Sequence, residues 1–143
     1  MQEYKNAIEL VDITKRFGEV TANNKVSLSV RKGEILSLLG ENGSGKTTLM
    51  NMLSGIYFPD EGEIIVDGRE VMIKSPQDAY ELGIGMIHQH FKLVDVFTAA
   101  QNIILGIPGK AVINRKEVID DIKKLTDKYG FEIDLDSKIY EMS

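Results

Sequence analysis

Apolar residues recur along this chain with two periods, one close to 2 and one close to 3.6, and each switch between them marks an element boundary. From Ala7 to Ile13 the apolar positions are Ile8, Leu10 and Ile13, with Val11 beside Leu10, and they predict a strand. Val26, Leu28 and Val30 share one face of a second strand over 25–30. Between them Thr14-Lys15-Arg16-Phe17-Gly18 reads as a polar turn carrying one aromatic ring, so the chain opens with an antiparallel hairpin. Arg31-Lys32-Gly33 then turns into Glu-Ile-Leu-Ser-Leu-Leu at 34–39, an apolar run that predicts a buried strand. Thr48-Leu49-Met50-Asn51-Met52-Leu53 opens a helix, and Ser54-Gly55 stops it.

The second half alternates short elements. Glu63 to Val66 predicts a strand, Asp67-Gly68 a tight turn, and Glu70 to Ile73 the return strand. Ser75 and Pro76 suit the N-cap and first position of a helix running to about Leu82, which Gly83 ends. Ile84 to Ile87 predicts another short buried strand, followed by a loop that holds His88-Gln89-His90-Phe91. Thr98 is placed to cap a helix to about Leu105, and a break with Pro108 follows. Asn114 and Glu117 have the spacing of a capping box. Val118, Ile122, Leu125 and Tyr129 then lie at helical spacing, closed by Gly130. Asp134 to Ser143 reads as one further short helical turn.

Between the run at 34–39 and the helix stands Gly40-Glu41-Asn42-Gly43-Ser44-Gly45-Lys46-Thr47-Thr48, which fits G-x-x-x-x-G-K-[ST], the phosphate-binding P-loop. The residue types follow from the ligand. Triphosphate oxygens need many donors at close range. Gly43 and Gly45 lack a Cβ, so the backbone curls and turns successive N–H groups inward. The helix N-terminus adds orphan N–H groups and positive dipole. Lys46 brings a point charge to the β- and γ-phosphates, and the Thr47 hydroxyl suits Mg²⁺.

Composition narrows the picture. At 143 residues the chain is one domain or part of one, with 43% hydrophobic and 27% charged residues. A net charge of −5 does not favour nucleic acid or an anionic membrane. There is no cysteine, hence no disulfide framework and no thiolate site. The N-terminus lacks the apolar stretch of a signal peptide, and no apolar run has the length of a membrane span. The cytosol is the expected compartment, with any membrane association made through a partner. His88 and His90 have no third ligand in view and read as loop residues rather than a metal site. Asp134 and Asp136 read as surface or cap residues.

Taken together, these stretches resemble the ATP-binding cassette (ABC) transporter ATPases over essentially the whole chain. Phe17, in Thr-Lys-Arg-Phe, matches the aromatic on which that family stacks adenine. Gly40 to Thr48 matches its Walker A loop. Pro59-Asp60-Glu61-Gly62-Glu63-Ile64 and Asp67-Gly68 match its antiparallel β-subdomain. Gln89, closing Gly-Ile-Gly-Met-Ile-His-Gln, matches its Q-loop glutamine. Thr98 to Gly106 resembles the start of its helical subdomain.

The resemblance implies an α/β fold, a P-loop NTPase with an ABC-type core. The antiparallel β-subdomain is expected at about 1–33 and 60–75, the P-loop core at about 34–58 and 76–96, and an incomplete helical subdomain at about 97–143. It implies ATP and Mg²⁺ as cofactors. Phe17, Gly40, Asn42, Gly43, Ser44, Gly45, Lys46, Thr47 and Thr48 would hold the nucleotide. Thr47 and Gln89 would hold the metal, and Lys46 and Gln89 would support hydrolysis. The implied partners are transmembrane permease subunits and a second cassette, at the cytoplasmic face of the membrane. His88-Gln89-His90-Phe91 and the Gly-Glu-Asn-Gly loop look closest to importers of nucleosides and simple sugars.

Ser143 sits where the family's signature motif begins. That motif, the Walker B aspartate, the catalytic glutamate and the switch histidine do not occur in these 143 residues. The sequence therefore reads as the N-terminal part of a larger ATPase, unable to turn over ATP by itself and prone to rearrange, exchange strands or self-associate through unpaired edges. A nucleotide-binding module without turnover, or another P-loop NTPase, is the alternative. A GTPase would want Asn-Lys-x-Asp, which is absent.

Overall fold

The computed structural model describes residues 5–88, 93–105 and 115–142. They fall into two compact units, 1–86 and 87–143. The first unit is built on a four-stranded antiparallel sheet. Its strands are β1 (Asn6–Phe17), β2 (Val20–Arg31), β3 (Glu61–Val66) and β4 (Arg69–Val71), in the order β2-β1-β3-β4. Two helices accompany it, α1 (Lys46–Leu53) and α2 (Pro76–Glu81).

The hairpin is longer than the alternation predicts. Phe17 is not in a turn but is the last residue of β1, paired with Val20 across a two-residue loop. Thr14 and Lys15, which look like turn residues, are buried inside the strand. Each has its polar atoms met, Thr14 Oγ1 by the Lys25 amide at 3.1 Å and Lys15 Nζ by Asp60 Oδ1 at 2.9 Å.

The apolar phase of β1 slips by one residue, and the structure shows why. Leu10 and Ile13 both enter the core although they are three apart. The register shifts between them against β2, and between Val11 and Thr14 against β3, with Asp12 at φ 51°. This bulge brings Ile13 back to the buried face.

Leu10, Ile13, Ile64, Val66 and Ile73 close the core with Leu49 and Met52 of α1 and Ala79 of α2. β3 and β4 join through Asp67 and Gly68, both at positive φ, as a type I′ hairpin requires. Ser75 caps α2 by accepting the Asp78 amide, with Pro76 at the first position. The Lys74 amide donates to the Asp78 carboxylate at 2.9 Å. That bond, with smaller help from Ser75, holds the Asp78 pKa below its ordinary value.

Two predicted strands are absent. Residues 34–39 and 84–87 lie in neither the sheet nor any other ladder. A strand is held by its neighbours' hydrogen bonds, and among the described residues neither run has a neighbour. Consequently 34–39 is exposed throughout, with Ile35 at 96% and Leu39 at 88%.

The second unit holds α3 (Ala99–Ile104), α4 (Arg115–Tyr129) and a 3₁₀ turn at Ile139–Glu141. Thr98 caps α3 in a reciprocal capping box with Gln101. Asn102 returns to the preceding loop, accepting the Val94 amide and donating to the Val94 carbonyl. Ala100, Ile122 and Leu135 form a small core with Ile104, Val118 and Ile119 beside it. Only the N-terminal part of the predicted α4 stripe packs, since Leu125 and Tyr129 are exposed. Gly130 ends α4 at φ 70°. Asp134 acts as a cap, accepting the Ser137 hydroxyl at 2.7 Å and the Asp136 amide at 3.1 Å, which lowers its pKa. The capping box predicted at Asn114 lies outside the described residues. Among the described residues no helix is long and apolar enough to cross a membrane.

Candidate functional site

The glycine loop is framed by β2 on one side and α1 on the other. Gly45 is the N-cap of α1, at φ 86°, a region open to glycine. Its position is fixed sterically as well. A Cβ there would lie 2.3 Å from the Ala22 carbonyl oxygen and 2.8 Å from Asn23 Nδ2, both on β2. The helix begins at Lys46, two residues earlier than the apolar pattern suggests. The Leu49 amide donates to the Gly45 carbonyl at 2.9 Å, so the amides of Lys46, Thr47 and Thr48 are the orphan donors of the first turn.

Lys46 folds back across the loop. Its ammonium donates to the carbonyls of Glu41 and Gly40 at 2.6 and 2.8 Å, and to Ser44 Oγ at 3.2 Å. A Cβ on Gly40 would come 2.8 Å from Ser44 Oγ, a side-chain atom that can turn aside, so Gly40 is less tightly constrained than Gly45. Asn42 and Gly43 make the exposed turn at the apex. Thr47 is exposed and Thr48 half-buried in the first turn of α1. Glycine backbone, free helix-end amides and one ammonium thus converge on a small region, which suits a phosphate chain. No group of three His, Cys, Asp or Glu gathers among the described residues. Mg²⁺ does not require one, since phosphate oxygens and water supply most of its shell.

Asn23 is a residue that motif reading missed. It is buried on β2, opposite Lys15, and its Nδ2 donates to the Gly45 carbonyl at 3.3 Å. Its Oδ1 is buried without a hydrogen-bond partner among the described residues. The available signal was an asparagine in the middle of a strand, a composition that strands disfavour.

Phe17 stands at the end of β1 in an aromatic cluster. Its ring meets Tyr57 edge-on, with centroids 5.1 Å apart and planes at 71°. Lys15 Nζ lies 5.5 Å from the Phe17 centroid and 4.9 Å from that of Phe58. Asp60 binds the cluster to the strand by accepting Lys15 Nζ at 2.9 Å and the Arg16 amide at 2.6 Å. The Lys15 bond first, and the Arg16 amide second, hold the Asp60 carboxyl below its ordinary pKa. Gln89 lies outside the described residues, as does His90. His88 is half-buried.

The pattern of the ABC transporter family matches residues 23–143. The chain is 50% identical over 138 residues to the guanosine import ATP-binding protein NupO of Bacillus subtilis (strain 168), covering 95% of this chain and 27% of that protein. It is 50% identical over 141 residues to the nucleoside import ATP-binding protein NupA of Lactococcus lactis subsp. cremoris (strain MG1363), covering 97% and 28%. The chain therefore spans a little over a quarter of the length of these two relatives. Among solved structures it resembles a nucleotide-free ATP-binding cassette from an ABC transporter, with a TM-score of 0.82 at 29% identity, covering 96% of this chain and 59% of that one. A cassette in its ADP conformation aligns with a TM-score of 0.80, also at 29% identity and with the same coverage. A match that begins inside β2 and runs through the glycine loop to the last residue makes this chain a member of the ABC transporter family of ATP-binding proteins.

Proposed function

We propose that this chain binds ATP–Mg²⁺ and forms the nucleotide-holding part of an ABC importer ATPase for a nucleoside or simple sugar. The observation that carries the reading is the closed loop between β2 and α1, with Gly45 locked against Ala22 and Lys46 drawn over Gly40 and Glu41. Lys46 and the first-turn amides would meet the β- and γ-phosphates. Gly40, Asn42, Gly43, Ser44, Gly45 and Thr48 would shape the cradle. Thr47 and Gln89 would complete the Mg²⁺ shell, and Phe17 would carry adenine. Support for the solute comes from the 50% identity to NupO and NupA, whose names specify guanosine and nucleoside import.

In the full-length protein, ATP hydrolysis would drive import through permease subunits at the cytoplasmic face of the membrane, with a second cassette closing over the γ-phosphate. These 143 residues carry the phosphate-binding side of that reaction and neither its base nor the signature motif, so this chain alone turns over ATP at a negligible rate. The three-part division into β-subdomain, P-loop core and helical subdomain belongs to the same proposal. The exposed run at 34–39 gives the chain a route to self-association.

Titration with Mg²⁺–ATP and Mg²⁺–ADP tests the binding step. Lys46→Ala removes one charge-assisted contact, so affinity should fall by about ten- to a hundredfold. Equal binding by the variant would overturn the reading.

A further inference from the structure

We infer that Tyr57 is a positioning residue for the nucleobase, holding Phe17 in the orientation that a base stacks on. The inference rests on the nucleotide reading above and adds a residue to it.

Phe17 ends β1 beside a two-residue turn and is 43% exposed, so part of its ring is open to a ligand. A phenylalanine at a hairpin end is free to turn about its side-chain bonds unless something packs on it. Tyr57 supplies that packing, edge-on at 5.1 Å. Lys15 approaches the same ring but is tied to Asp60, which holds it at the base of the cluster.

Tyr57 is itself anchored to the phosphate-binding element. Its amide and that of Ile56 both donate to the Asn51 carbonyl, at 3.2 and 2.9 Å, in the turn that ends α1. The helix whose first residue is Lys46 thus delivers Tyr57 from its other end. The aromatic platform and the glycine loop are joined through one short rigid element. A base that stacks on a pre-set ring loses less freedom than one that must order the ring as it binds. The contact is made by the ring, so phenylalanine at position 57 should serve as well as tyrosine, and leucine should not.

The test compares Mg²⁺–ATP with inorganic Mg²⁺–tripolyphosphate, which engages the loop and has no base. Calorimetric titration of the chain, of Tyr57→Phe and of Tyr57→Leu should give three equal affinities for tripolyphosphate. ATP should bind equally to the chain and to Tyr57→Phe, and about three- to tenfold more weakly to Tyr57→Leu. An unchanged ATP affinity in Tyr57→Leu overturns the inference. So does a parallel loss of both ligands, which would mark Tyr57 as support for the loop or for the fold. Failure of the parent chain to bind either ligand would instead overturn the nucleotide reading on which the inference stands.

Discussion

The two segments on either side of the glycine loop are both apolar, yet only one is packed. Before the loop, Ile35, Leu36, Leu38 and Leu39 are exposed in a run without secondary structure. After it, Leu49 and Met52 are buried in α1, Met52 at 1% exposure. The difference lies in where each obtains its hydrogen bonds. A helix satisfies its backbone from within and needs a neighbour only for its side chains. A strand needs a neighbour for both. The loop therefore has one firm wall, α1 with β2 behind it, and one wall that its own sequence cannot hold.

The contrast is broken most directly by cutting into the firm wall. Met52→Ala removes a fully enclosed side chain that meets Leu10, Ile13 and Ile64 in one core. A loss of about 2–5 kcal/mol in denaturant unfolding is expected. A loss below about 1 kcal/mol would mean that the core is looser than its burial indicates.

Much of this could be read from the chain, and the limits have a common cause. The glycine loop was legible because its spacing is local, with Gly45 capping α1 and Lys46 opening it. The caps at Ser75 and Thr98 were legible for the same reason, since each is satisfied within four residues. The stretch from Ala7 to Ile13 was read as one alternating strand, and the bulge between Leu10 and Ile13 was missed because it shows only in the pairing with β2 and β3. Thr14 and Lys15 were misread because their partners, Lys25 and Asp60, are remote in sequence. Asn23 and Tyr57 were missed because their importance lies in contacts with Gly45 and Phe17 across the fold. The runs at 34–39 and 84–87 were overcalled because apolar composition was taken as evidence of a partner.

A smaller effect sharpens the comparison at the far end of the firm region. Asp60 has its pKa lowered by the Lys15 ammonium and the Arg16 amide. A carboxyl whose folded pKa lies below its unfolded value contributes stability above the unfolded value, and that contribution is lost as pH falls through the folded one. The unfolded value is close to 3.8. The stability gap between the chain and Asp60→Asn should therefore be constant from pH 7 to about 5 and close as the pH falls past 3.8. The gap should be no more than about 1 kcal/mol, because the pair is partly open to water. A gap that persists at pH 2 would show that Asp60 acts through packing rather than charge.

The smallest effect is expected in the unpacked wall, where near-zero is the informative result. Ile35→Ser changes a side chain that touches water on nearly every side, so unfolding free energy should move by less than about 0.5 kcal/mol. Its association state should move more. An exposed run with four large aliphatic side chains, Ile35, Leu36, Leu38 and Leu39, and unpaired backbone groups is a template for a second chain. Light scattering should therefore show less self-association for Ile35→Ser than for the parent at equal concentration. If the substitution destabilises the chain as Met52→Ala does, then 34–39 is packed in solution and both walls of the loop are firm. If stability and association both stay unchanged, the run is solvated and inert, and the proposed route to self-association is withdrawn while the contrast between the walls remains.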